Sequence, residues 1–392
     1  MKLARRLDHI EPFYVMECAK AAQHIAASPA CDPAQGGERM IYLNIGEPDF
    51  TAPPLVQAAA EHAIRSGRSQ YTQATGLIEL REHLSAWYAS RFGLDIPARR
   101  IVITAGASAA LQLACLALFE AGDEVLMPDP SYPCNRHFVA AAEAVARLLP
   151  TTPAQRFQLD AAGVRKAWGP ASRGVLLASP SNPTGTSIHP SEMRDIVDFV
   201  RAQGGVTVVD EIYLGLSYDA VYGTSALAHG ADVVSVNSFS KYFNMTGWRL
   251  GWLVLPDELV EPIERLAQNL FICASTIAQH AALACFEPES MAEYERRRAE
   301  FQARRDFIVP ALNELGLTVA VPADGAFYAY ADCSAHARSS WDFCFDMMNR
   351  AHVALTPGRD FGRHDPDRWL RLSFASSRAQ LEQAVQRLRR EL

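Results

Sequence analysis

The sequence has no CxxC pair, no HExxH motif and no histidine at zinc-ligand spacing from a cysteine, so no metal site is expected. Its eight cysteines are scattered, and several, such as Cys115, sit in apolar helical stretches. They read as small buried hydrophobes in a reducing compartment rather than as disulfides. No run approaches the about 20 apolar residues that a membrane-spanning helix needs. The first residues, Met1-Lys2-Leu3-Ala4-Arg5-Arg6, lack the apolar core of a secretory signal. Positive charge is not in excess: 37 Lys and Arg face 44 Asp and Glu, a formal net charge of -7, which argues against nucleic acid as a partner. Repeats, low-complexity tracts and long linkers are missing as well. A cytoplasmic enzyme acting on small molecules is the remaining expectation.

At 392 residues, with 49% hydrophobic and 21% charged residues, the chain can build two domains around substantial cores. Its central part alternates short apolar runs with helical stretches, the mark of a mostly parallel sheet covered on both faces. The runs Ile101–Thr104, Glu124–Met127, Gly174–Ala178, Val206–Val209 and Val233–Val236 are the expected strands, and Arg249–Leu255 is one more, antiparallel or at an edge. The C-terminal third changes character. A long charged helix over Glu289–Leu315 leads to strands at Leu317–Val321 and Ala326–Ala331, a helix at Trp341–Ala351, a strand at Trp369–Phe374 and a last helix from Arg378. The expected fold is therefore α/β, with a large unit over residues 46–285 and a smaller α+β unit made of residues 1–45 and 286–392.

The most informative stretch runs from Ser238 to Trp252, Ser-Phe-Ser-Lys-Tyr-Phe-Asn-Met-Thr-Gly-Trp-Arg-Leu-Gly-Trp. Lys241 follows a buried strand and is flanked by hydroxyls, with Arg249 one short loop further on. An amine that can lose its proton, beside a guanidinium and the hydroxyls of Ser238 and Ser240, suits covalent chemistry on a ligand that carries a phosphate. Asp210, at the carboxyl end of Val206–Val209 and before Tyr213, stands where open α/β sheets bind ligands; read alone, capping a helix start is the lesser alternative. Ser179-Pro180-Ser181-Asn182-Pro183-Thr184-Gly185 follows another strand and could by itself be any turn. Gly106-Ala107-Ser108 opens a helix with small residues, as anion-binding helix starts do. Arg371 is a lone arginine in the apolar strand Trp369–Phe374, where a buried guanidinium calls for an anionic partner.

In this order, from Asn44 to Arg371, the segments resemble those of the class I/II aminotransferases, fold type I of the pyridoxal-phosphate (PLP) enzymes. The resemblance implies a large PLP-binding unit and a role for each segment. Lys241 would be the Schiff-base lysine, with the cofactor's phosphate held by Gly106, Ala107, Ser108, Ser238, Ser240 and Arg249. Asp210 would meet the pyridine nitrogen, Tyr213 and Asn182 the phenolic oxygen, and Tyr132 the ring face. Gly46 and Arg371, with Asn182, would receive the substrate carboxylate. Tyr71, in Tyr71–Arg81, would reach the phosphate of a neighbouring subunit, making a homodimer with shared active sites.

The implied reaction moves the amino group of an L-amino acid to a 2-oxo acid in ping-pong fashion, with Lys241 as general base. Some aspartate-specific bacterial relatives carry a lysine where this chain has Ser108, and small hydroxyl residues where it has Phe13-Tyr14. The replacements point to a neutral aliphatic or aromatic substrate, although Arg359 could still offer a cation. Aspartate transamination, another fold-type-I reaction such as C–S β-elimination, and a PLP-binding regulator without turnover are the alternatives.

Overall fold

The computed structural model describes residues 2–4, 7–8 and 10–392, so Met1, Arg5, Arg6 and His9 of the N-terminal segment lie outside the described residues. In chain order the strands are β1 (Ile41–Tyr42), β2 (Ile101–Thr104), β3 (Glu124–Asp129), β4 (Val145–Pro150), β5 (Ser172–Ala178), β6 (Val206–Asp210), β7 (Val234–Ser238), β8 (Gly251–Val254), β9 (Tyr328–Asp332), β10 (Val353–Ala354), β11 (Thr356–Pro357) and β12 (Trp369–Ser373). The helices are α1 (Tyr14–Ala26), α2 (Pro54–Arg65), α3 (Ile78–Phe92), α4 (Gly106–Leu118), α5 (Pro133–Ala141), α6 (Ala161–Ala167), α7 (Pro190–Ala202), α8 (Asp257–Leu270), α9 (Thr276–Leu283), α10 (Pro288–Glu314), α11 (Ser340–Arg350) and α12 (Arg378–Glu391).

Seven strands form the central sheet in the order β2-β8-β7-β6-β5-β3-β4. All neighbours from β7 to β4 run parallel, while β8 is antiparallel to both β7 and β2. The expected antiparallel strand is thus present but internal, because β2 occupies the edge beyond it. Helices pack on both faces and seal strands such as β2, β7 and β8, every residue of which is buried. At the carboxyl ends of β5, β6 and β7, Ala178 pairs with Asp210 and Asp210 with Val236, two residues before Ser238, which is where a doubly wound sheet opens a crevice.

A separate antiparallel sheet, β11-β12-β9, carries Arg371 opposite Tyr330 and Ser373 opposite Tyr328. The strand expected at Leu317–Val321 is reduced to a single bridge, Thr318 to Asp332. Its alternating burial is strand-like, but the Val319 amide donates to Asn313 Oδ1 at 2.7 Å and not to a neighbouring strand. Among the described residues no helix is long and apolar enough to cross a membrane, and no group of His, Cys, Asp and Glu could hold a metal ion.

Candidate active site

The loop after β7 is held by its aromatic residues. Phe239, Tyr242 and Phe243 are buried, and Phe239 meets both Phe243 and Trp252 at 5.0 Å between ring centroids. Each such ring contributes about 1.5–3 kcal/mol by burial, enough to fix the residue between them. Lys241 therefore projects into the crevice, where its Nζ donates to the Gly46 carbonyl at 2.7 Å. Burial lowers its pKa to about 8; Arg371 and Arg249 push the same way, Glu47 and Asp210 the other.

Asp210 and its neighbour Glu211 are both buried carboxylates with different surroundings. Glu211 accepts from Ser225 Oγ, Ser235 Oγ and the Ala226 amide at 2.6–2.9 Å, so its hydrogen bonding is internal. Among the described residues Asp210 accepts only the Ile212 amide, at 3.1 Å, and burial raises its pKa to about 7. A cationic partner in the crevice would restore its charge.

Opposite lies an anion cradle. Helix α4 begins without a side-chain cap, so its first amides have no partner from that source. Ser238 Oγ and Ser240 Oγ are linked at 2.8 Å, and the Arg249 guanidinium lies against the start of α4. A Cβ on Gly106, which has φ +84°, would come within 2.5 Å of Arg249 Nη2, so only glycine allows this approach.

Arg371 closes the other side. It is 2% exposed and donates to Asn182 Oδ1 at 2.9 Å and to the Asn44 carbonyl at 2.6 Å. Its Nε is buried without a partner, and among the described residues no carboxylate forms a salt bridge with it. The guanidinium lies against the Tyr328 and Phe361 rings, 4.5 and 4.8 Å from their centroids. Tyr328 Oη and Tyr213 Oη share a hydrogen bond of 2.7 Å, and Gly46 passes so close to Tyr328 that a Cβ would overlap its hydroxyl.

Of the residues to which the resemblance gave a role in cofactor or carboxylate binding, all but Gly106 and Tyr71 line this one pocket of about 260 Å³. Gly106 lies directly behind it against Arg249, whereas Tyr71 is 79% exposed in a surface cleft with Arg68 and His280. Phe13, Val15 and Met16 of the α1 entry, together with Ile45 and Tyr328, complete the wall. The sequence reading passed over Tyr328 as a strand residue, although a tyrosine buried in an apolar strand needs a hydroxyl partner and so signals one. Arg359 is not among the lining residues; it stacks on Trp341 at 4.4 Å, with Asp367 at 3.7 Å.

A flat, cationic heteroaromatic aldehyde with an anionic tail suits every side of this pocket. Its ring nitrogen would answer Asp210, its tail the α4 cradle and its carbonyl the depressed lysine. Enzymes built around such a group are the pyridoxal-phosphate enzymes. The family profile "Aminotransferase class I and II" matches residues 38–388, and the chain belongs to that family. It is a PLP-dependent aminotransferase of fold type I. It is 37% identical to the valine–pyruvate aminotransferase of Mycobacterium tuberculosis, over 97% of this chain and 96% of that protein. It is 32% identical to aromatic-amino-acid aminotransferase 2 of Thermococcus litoralis, over 92% and 94% of the two chains. A solved aminotransferase structure from Mycobacterium tuberculosis superposes with a TM-score of 0.94 at 37% identity, covering 100% of this chain and 99% of that one.

The state of the lysine gives a first testable outcome. Only the neutral amine attacks an aldehyde, and a pKa of about 8 leaves roughly a tenth of it neutral at pH 7, against about one part in 3,000 for an ordinary lysine. Cofactor capture by the apoenzyme, followed by stopped-flow absorbance, should therefore accelerate as pH rises to about 8 and level off above it. A rate still climbing at pH 10 would place the amine in a solvent-like environment.

Proposed function

We propose that this aminotransferase moves the amino group of a neutral aliphatic or aromatic L-amino acid to a 2-oxo acid. The observation that carries the substrate class is the apolar part of the lining, Phe13, Val15, Met16 and Ile45, in the same pocket as Arg371. Among the described residues, the cationic side chains lining the pocket are Lys241, Arg249 and Arg371. Each has a place in the cofactor or α-carboxylate scheme, so none is left for a side-chain carboxylate. Kinship with a valine–pyruvate aminotransferase supports the same reading.

Bound in the pocket, PLP supplies an aldehyde for the amino group and a cationic ring that draws electrons from the substrate Cα. In our reading Asp210 keeps the ring nitrogen protonated, Tyr213 and Asn182 donate to the ring oxygen, and Tyr132 covers the ring face. Ser238, Ser240, Arg249 and the amides of Gly106, Ala107 and Ser108 hold the phosphate. Arg371 forks onto the α-carboxylate, with Gly46 leaving room beside it, and so fixes which Cα bond faces Lys241. Lys241 Nζ then takes the Cα proton.

The proposal extends to the assembly and the setting. Exposed Tyr71, Ile78, Leu270 and Ile272 lie on segments joined by the Thr276-to-Gln70 hydrogen bond, and they support a homodimer in which Tyr71 completes the neighbour's phosphate site. The separate β11-β12-β9 sheet supports a division into residues 46–285 and residues 1–45 plus 286–392. Reduced cysteines and the absence of a basic surplus fit a cytoplasmic enzyme without nucleic-acid partners.

The test is a titration of the PLP-loaded enzyme with single amino acids in the absence of an acceptor, followed by absorbance. Valine, leucine and phenylalanine should convert the cofactor at far lower concentrations than aspartate or glutamate. A strong preference for the acidic donors would overturn the substrate class. Steady release of pyruvate and ammonia without an acceptor would instead favour a lyase.

A further inference from the structure

Helix α1 starts with Phe13 as its N-cap, and Phe13 offers no side-chain cap. The amides of its first turn are bound from a distant part of the chain. Asp360, 1% exposed, accepts the Tyr14 amide through Oδ1 at 2.9 Å and the Val15 amide through Oδ2 at 3.3 Å. Those amides belong to the turn that presents Phe13, Val15 and Met16 to the pocket.

The residues around Asp360 hold the remaining walls. Its carbonyl accepts Arg136 Nη2 of α5 at 3.1 Å. The Phe361 ring lies 4.8 Å from the Arg371 guanidinium, and the Phe361 carbonyl accepts the Ser131 amide at 2.8 Å. Ser131 precedes Tyr132, whose ring meets Phe13 edge-on at 6.2 Å. One short turn thus bonds the first turn of α1, packs against the arginine and bonds the residue that precedes Tyr132.

We propose that Asp360 is a positioning residue for side-chain selection: by clamping the first turn of α1, it sets the distance between the apolar wall and Arg371. The inference rests on the reading that the substrate's carboxylate lies at Arg371 and its side chain against that wall. That distance is the length available for a side chain, so a loosened turn weakens contact with long apolar donors and spares short ones. Burial pushes the Asp360 carboxyl up to about 6, while Arg371, the Tyr14 and Val15 amides and Arg136 oppose the shift, and Cys18 of α1 also faces it. The carboxylate form is the better acceptor for two amides at a helix start.

The experiment compares PLP-loaded wild type with Asp360→Ala and Asp360→Asn, measuring KM and kcat for alanine and for leucine or phenylalanine, together with amide hydrogen exchange over residues 14–26. Loss of a cap of ordinary strength should raise KM for the large donors about tenfold and speed exchange in the first turn by a similar factor. KM for alanine, and kcat for every donor, should stay within about threefold. Asp360→Asn keeps one acceptor oxygen and should recover most of both effects. Tyr14→Pro removes one clamped amide at a position where proline is tolerated. It should speed exchange in the same turn and keeps the test available if Asp360→Ala does not fold. Equal KM losses for alanine and the large donors, or unchanged exchange over 14–26, would overturn the proposal. A wild type that favours acidic donors would refute the substrate reading instead, and the exchange measurement would still report on the clamp.

Discussion

Lys241→Ala is expected to lower multiple-turnover transamination by about 10⁴-fold or more and to remove the visible absorbance of lysine-bound cofactor. The size follows from two duties placed on one Nζ. In the proposed scheme it would form the covalent attachment and, once released, would serve as the base for the substrate Cα proton. Its anchoring by Phe239, Tyr242 and Phe243 persists in the variant because those rings pack without it. PLP should still bind through Arg249, the paired serines and the start of α4, so bound cofactor without the visible band is the expected signature. Among the described residues no other lysine lines the pocket to substitute for it. Retention of full turnover in Lys241→Ala would end the assignment of this residue.

How much of this could be read beforehand depended on how local the cause was. Strands β2, β5, β6 and β7 were legible because burial on both faces leaves continuous apolar runs. Strand β4 was not, since it is an exposed edge whose sequence, Val-Ala-Arg-Leu-Leu-Pro, shows neither a clean alternation nor a buried run. The order of the segments grouped residues that do converge on one pocket, from Gly46 to Arg371. What remained hidden came from tertiary contacts. Nothing near Tyr14 in sequence announces Asp360 as its partner, since 346 positions separate them. The contrast between Asp210 and Glu211 arises only when Ser225 and Ser235 fold against the second carboxylate. The depressed basicity of Lys241 is likewise a property of burial and not of its neighbours in the chain.

Arg371→Lys should lower kcat/KM for amino acids by about 10²- to 10³-fold, the range for breaking a buried charge-assisted pair. The arginine already uses Nη1 on Asn182 and Nη2 on the Asn44 carbonyl, which orients its planar fork and leaves its charge without a salt-bridge partner among the described residues. The Tyr328 and Phe361 rings pack against it, with centroids 4.5 and 4.8 Å from the guanidinium carbon. A lysine ammonium at the same site is a point charge on a flexible stem. It cannot hold Asn182, the Asn44 carbonyl and a substrate carboxylate in one plane, so both the anchor and the Asn182 amide lose their alignment. The decisive measurement is a comparison of each amino acid with the amine that lacks its carboxylate. Wild type should prefer the amino acid strongly, whereas Arg371→Lys should lose most of that preference, because the carboxylate interaction is present in only one of the two donors while any disturbance of Asn182 affects both. A variant that keeps the wild-type ratio would mean that the carboxylate is held elsewhere in the pocket. The distance from Arg371 to the apolar wall would then no longer measure the side chain.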